Sequence, residues 1–303
     1  MMKTLIESLR TAVGREWKNM HSVCALPSCG HTMLIRSVPQ RRVGMQMGQL
    51  WYCSVDCFRE AARLRLAELS DERVVEMPHR PRLSIGLVMV SKDYLTGEQL
   101  RSAGAQCQLS GEDLETGLLR LGLVTEWQLA SARATQWGCP VLKQDRQAQP
   151  VVADIPTALL KAYSAVPLHY SVSTKRLLLG FVNRVEHTLL HGLEQMLECK
   201  AEACFVTPTE FAMQMGRMTA APDCDEMTFE ESMTPGQMAN SLSGMAVEVA
   251  AREASFVLCR DYIWSRLTGK TRRVNLLFRV RQVAEPEKGG NFLFRKQNIA
   301  SWG

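Results

Sequence analysis

The stretches R82-LSIGLVMVSKDYLTGEQLRSAGA-Q106 and D113-LETGLLRLGLVTEWQLASARAT-Q136 read as two copies of one helical pattern. Thr96-Gly97-Glu98-Gln99 and Thr125-Glu126-Trp127-Gln128 are T-x-x-Q capping boxes, each followed at once by Leu, and Ser110-Gly111-Glu112-Asp113 is a weaker third start. Gly122 and Gly138 stand where helix C-terminal glycines belong. The spacing predicts short helices near 84–91, 97–107, 111–121 and 126–137, with Leu114, Leu118 and Leu121 on one face of the third.

The pattern continues toward the C-terminus. DIPTALLKAYSAVPLHYS starts a helix at Pro156 and turns at Val166-Pro167 into a strand, and KRLLLGFV (175–182) is a near-continuous apolar strand. HTLLHGLEQMLE is an amphipathic helix and ACFVT a strand. Thr207-Pro208-Thr209-Glu210 is a capping box with Pro at the first helical position.

Together these lines resemble the N-terminal domain of the type II secretion and type IV pilus assembly ATPases, the GspE and MshE type, over residues 82–216. The tandem motif of that domain runs roughly RLGxxLVxxGLIxxxQLxxALxxQ, and some members bind cyclic di-GMP through it. Carried over by position, the resemblance implies Arg82, Leu83, Leu87, Leu114, Leu118 and Gln136 as nucleotide-contacting positions, with Gly122 and Leu129 also matching. Ser84 and Glu115 replace motif glycines, and Asp113 replaces an arginine where its carboxylate would face a phosphate. The resemblance also implies a protein partner in a secretion, pilus or motility system, since the family's domain docks onto membrane-platform proteins.

The motor that follows this domain in the ATPases is not legible. Its phosphate loop would need a Gly where Trp264 precedes Thr268-Gly269-Lys270-Thr271, so GKT reads as a helix end. His187 and His191 have zincin spacing, but Thr188 stands where that chemistry needs Glu. The chain is therefore expected not to be an enzyme.

N-terminal to the repeat, CALPSCGH and WYCSVDCFREA place Cys24 with Cys29 and Cys53 with Cys57. Two close pairs delivered by two turns suit tetrahedral thiolate coordination of zinc, and four thiolates leave no open position for water, so the site reads as structural. His21 and His31 stand near enough to replace a cysteine, and the alternative is four reduced core thiols. The CSVDCF string resembles the treble-clef-like fingers of the FCS, MYM and TRASH type. Cys199 and Cys204 form a lone pair and read as buried thiols.

Charge is uneven. Lys plus Arg against Asp plus Glu count 13 to 8 over residues 1–82, 14 to 21 over 83–262 and 9 to 2 over 263–303. Basic ends keep a nucleic-acid-binding finger open as a further alternative. The first 22 residues read as an amphipathic helix rather than a secretory signal, no stretch approaches ~20 apolar residues, and ten cysteines without an export signal point to a reducing, cytoplasmic setting.

The expected architecture is α+β and multi-domain: an amphipathic helix (1–22), a zinc-finger-like module (23–75), a helical tandem-motif subdomain (80–140) and a small αββαβα subdomain (150–218). An acidic linker (219–233), a C-terminal helix and strand (234–283) and a flexible tail (284–303) complete it. The Thr234-Pro235-Gly236-Gln237 box is expected to open a long helix reaching about Thr268, and sixteen methionines suit an adaptable binding surface.

Overall fold

The computed structural model describes residues 21–34, 44–72, 83–142, 154–220 and 225–280. The amphipathic helix expected over 1–22, all but its last two residues, the tail at 284–303 and Arg82 lie outside the described residues. Mixed helix and strand content in several packed units makes the chain α+β, as expected.

The repeat folds as its caps dictate. Four helices, α2 (Ile85–Ser91), α3 (Gly97–Ser110), α4 (Leu114–Arg120) and α5 (Glu126–Trp137), follow one another. Thr96 and Thr125 complete both capping boxes, and Gly111 and Gly138 end α3 and α5 at φ 71° and 68°. Val88, Met89, Leu95, Ala103, Leu118, Val124, Leu129 and Ala132 form their common core. A Cβ on Gly117 would collide with the Cys107 sulfur, so α4 reaches α3 only because that position carries no side chain.

Next come α6 (Thr157–Ala162), β5 (Ala165–Ser171), β6 (Arg176–Phe181), α7 (His187–Leu197), β7 (Lys200–Phe205) and α8 (Pro208–Ala220), the helix-strand-strand-helix-strand-helix order read from the sequence. The three strands form one sheet, antiparallel for β5 and β6 and parallel for β6 and β7.

Beyond Thr234 the structure departs from expectation. The capping box forms and Pro235 opens the helix, but α9 spans only Pro235–Glu248. Residues expected to prolong it become β9 (Glu253–Cys259) and β10 (Tyr262–Thr268), followed by β11 (Arg273–Arg279). Phe256, Tyr262 and Ile263, which the sequence counts among the apolar positions of that helix, sit instead on strands covered on both sides, Phe256 and Ile263 facing one core and Tyr262 the other. Such strands carry unbroken apolar runs that periodicity alone cannot tell from a helix. The GKT segment is the turn of the β10–β11 hairpin rather than a helix end, with the Gly269 N–H donating to Arg272 O at 2.9 Å. A Cβ on Gly269 would strike the Val249 carbonyl.

The acidic linker also contains structure. Asp225–Phe229 is β8, parallel to β11. Its carboxylates are spent on distant partners: Glu226 accepts from the Thr157 N–H and hydroxyl at 2.6 Å each, and Asp225 pairs with Arg272 at 2.6 Å. Partners this far along the chain leave no mark in local composition.

The cysteine module is joined to the C-terminal sheet. A short ribbon pairs β1 (His21–Val23) with β2 (Thr32–Leu34), while β3 (Met45–Met47) and β4 (Leu50–Tyr52) form a hairpin. That hairpin extends the C-terminal sheet to six strands, in the order β4-β3-β9-β10-β11-β8. The helix after it, α1 (Val55–Asp71), packs on α9, and Phe58, Ala62 and Leu66 share one core with Met238, Leu242, Ile263 and Phe278. The opposite sheet face, with Val257, Cys259, Trp264 and Leu277, belongs to the core of the α6–α8 unit. Residues 83–220 are thus inserted between two parts of the chain that fold together.

Candidate metal centre

Each half-site is shaped by its own turn. Cys24 follows β1, its N–H donating to His31 O at 2.8 Å, and the Cys29 N–H closes the turn onto Leu26 O at 3.0 Å. Gly30 then reverses the chain at φ 60°. The Ala25 N–H donates to Trp51 O at 2.8 Å, bringing this turn beside the end of β4. Cys53 leaves β4, Ser54 caps α1 by accepting the Cys57 N–H at 3.2 Å, and Cys57 sits in the first helical turn. There the Ser54 hydroxyl lowers the Cys57 thiol, but burial and the Cys29 sulfur outweigh it and the thiol is raised above its ordinary value.

The four sulfur atoms lie within 4.8 Å of one another, with Cys29 to Cys53 at 3.5 Å and Cys53 to Cys57 at 3.6 Å. These separations are far beyond the ~2.05 Å of a disulfide. Thiolates ~2.3 Å from a central zinc would be about 3.8 Å apart along each tetrahedral edge, so the donor set fits zinc. Cys24 is buried at 5% exposure, whereas Cys29, Cys53 and Cys57 are half-buried. Burial, then hydrogen bonding with Cys29, pushes the Cys53 thiol up to about 12, while hydrogen bonding from the His31 backbone holds Cys29 below the ordinary thiol value. Among the described residues this is the one cluster of three or more potential ligands, and it contains no histidine.

Other candidate residues do not converge. Cys204 is buried, its thiol raised to about 12 by desolvation and directed at Leu179 O. Cys199 directs its thiol at Leu193 O instead. His191 contacts Gln195 at 2.8 Å, while His187 lies beside Trp137 with ring centroids 6.2 Å apart.

At the tandem motif, Leu83 and Leu87 are 67% and 55% exposed, Leu114 is partly buried and Leu118 is fully buried in the core. Gln136 Nε2 donates to Leu83 O at 2.6 Å. Asp113, though exposed, is taken up as the cap of α4, accepting from the Glu115 and Thr116 N–H groups at 3.0 and 3.1 Å. Hydrogen bonding from the Thr116 hydroxyl, then the backbone, holds its carboxyl below the ordinary value. A carboxyl lowered on folding stabilises the fold above its unfolded pKa of about 3.9, and that contribution is lost as pH falls through the lower folded value. Asp113→Ala is expected to cost about 1 kcal/mol at neutral pH, and Asp113→Asn to keep most of the cap while flattening the acid limb, both read by urea unfolding.

In part, the chain is similar to the N-terminal domains of MshE and XpsE. The structure of MshE with cdg matches at 20% identity over 45% of this chain and 99% of that one, with a TM-score of 0.37. The N-terminal domain of XpsE matches at 22% identity over 44% and 92%, with a TM-score of 0.33; a second crystal form gives 20%, 46%, 98% and 0.26. No family model matches, and no curated protein matches significantly.

Two buried arginines went unnoticed in the sequence. Arg133, on α5, donates to Val182 O at 2.5 Å and pairs with Glu115, tying the helical repeat to the α/β unit. Arg266, on β10, lies over Trp264 with its Cζ 5.0 Å from the ring. It donates to Asn275 Oδ1 at 3.1 Å, to Met196 O at 3.2 Å and to the Asp154 carbonyl, tying the α/β unit to the large sheet. The one local signal is an arginine flanked by Ala132 and Ala134 in the first case; Arg266 stands between Ser265 and Leu267.

Proposed function

We propose that the chain is a non-enzymatic cytoplasmic adaptor or regulator with a structural zinc site at Cys24, Cys29, Cys53 and Cys57, working with a protein partner of a secretion, pilus or motility system. The observation that carries this reading is the way the helical repeat is presented. Arg133 and Arg266 fix it, through the α/β unit, to a sheet built from both flanking parts of the chain, while Leu83, Leu87, Leu109 and Trp127 stay exposed on it. Exposed apolar side chains on a fixed scaffold suit a partner surface. The tandem-motif resemblance of residues 82–136 supports the class of partner. TGKT in a hairpin turn supports the absence of ATP chemistry, since a phosphate loop runs from strand to helix.

Affinity purification of the full chain from its own cells is expected to recover a membrane-platform protein of such a system, and Leu83→Asp with Leu87→Asp to abolish recovery. Recovery of no such component, or ATP turnover lost on Lys270→Ala, would count against the proposal.

Cyclic di-GMP binding is the second reading, favoured by the exposure of Leu83 and Leu87 on either side of the Ser84 cap of α2. Against it stand the ionised Asp113 cap and the burial of Leu118. Calorimetry with the dinucleotide is expected to give no saturable heat, and a saturable signal sensitive to Arg82→Ala would reverse the order of the two readings. Nucleic-acid binding by the finger is weakened by its helix, where Arg59, Arg63 and Arg65 pair with Asp56, Glu60 and Glu68 at 3.0, 2.6 and 2.9 Å.

A further inference from the structure

The four thiols are unequally protected. Cys24 is buried, whereas Cys29 lies on a turn whose neighbours Ser28, Gly30 and His31 are all exposed. Its sulfur is 3.5 Å from that of Cys53, which arrives from a different element. Cys53 and Cys57, at 3.6 Å, are instead fixed on either side of the Ser54 cap. Closing a disulfide from 3.5 Å needs a movement of about 1.5 Å. A surface turn can supply that more readily than a capped helix start.

We infer that this centre is a peroxide-sensitive switch, in which oxidation joins Cys29 to Cys53 and expels the metal; the inference rests on the zinc reading given above. The Cys29 thiolate attacks one peroxide oxygen, the O–O bond breaks, and the departing hydroxide takes a proton to become water. The resulting sulfenic acid is attacked by the Cys53 thiolate: the S–S bond forms, the S–O bond breaks, and a second hydroxide leaves as water after protonation. Two sulfurs lose two electrons in total, the peroxide gains them, and zinc departs still as Zn2+, because Cys24 and Cys57 alone make a poor site. The change is felt beyond the finger, since Cys53 joins β4 to α1 and both belong to the core shared with α9.

The test uses the full chain as purified. Metal analysis comes first, and absence of zinc would overturn the zinc reading together with this inference. Zinc-loaded protein is then titrated with hydrogen peroxide while a chromogenic chelator reads free zinc and mass spectrometry maps disulfides. The expected result is one zinc released per Cys29–Cys53 disulfide, reversed by dithiothreitol with added zinc, with the buried Cys204 and Cys259 unmodified. A Cys139→Ser, Cys199→Ser protein, lacking the other half-buried thiols among the described residues, should behave identically. Zinc retained at peroxide doses that fully oxidise glutathione, or released only with sulfonic acid or a different disulfide, would overturn the inference while leaving the zinc reading intact.

Discussion

Cys53→Ser is expected to lose the metal and most of the stability of the unit formed by the two flanking parts of the chain. Structural zinc sites contribute on the order of 10 kcal/mol of apparent free energy at neutral pH, and little of that survives when one of four thiolates is removed. The loss should be local first. The β3–β4 hairpin meets the rest of the sheet through Gln46 and Met47 against Glu253 and Ala254, with the Gln46 N–H donating to Arg252 O at 2.7 Å. So short a seam depends on the cysteine turn holding the end of β4 in place. Hydrogen exchange should therefore show the Gln46 amide opening in Cys53→Ser, or in the chelated protein, while amides of β6 stay protected. Equal protection at Gln46 with and without metal would show that the apolar core alone holds the module.

The second large effect is expected at Arg266. Its guanidinium satisfies Asn275 Oδ1 and the carbonyls of Met196 and Asp154 and lies 3.6 Å from the Asp154 carboxylate. Arg266→Met keeps a flexible stem against Trp264 but leaves the Met196 and Asp154 carbonyls short of a donor in a closed interface, while Asn275 Oδ1 still accepts from Trp264 Nε1 at 2.8 Å. Breaking a buried pair from one side costs about 3–5 kcal/mol, and the figure here falls toward the lower end because Arg273 still holds Asp154 at 2.9 Å. Urea unfolding of the variant should show a loss near 3 kcal/mol, and a loss below about 1 kcal/mol would mean that Trp264 and Leu277 supply the adhesion without it.

The contrast between these two sites explains what the sequence made legible. Thr96, Thr125 and Thr234 were readable because a capping box is satisfied within four residues, and all three form. The cysteines were readable because each half-site is a local turn, and the four sulfurs do converge. Arg133 with Val182, Arg266 with Met196 and Glu226 with Thr157 are joined only by the fold, so their local neighbourhoods do not name these partners. The stretch from Phe256 to Ile263 failed differently. Its apolar residues suit the continuation of a helix as well as a strand covered on both faces, and only the two layers supplied by α7 and by α1 with α9 decide between them. Leu118 shows the same limit at the tandem motif, where matching a pattern placed it at a ligand and packing placed it in the core.

One zinc ion held by Cys24, Cys29, Cys53 and Cys57 is proposed to close the two flanking parts of the chain. X-ray absorption at the zinc edge of the full chain, purified without added metal, tests it most directly. The expected result is four sulfur neighbours at about 2.3 Å and no lighter scatterer. A shell containing histidine nitrogen at about 2.0 Å, or a protein that carries no zinc, would contradict it.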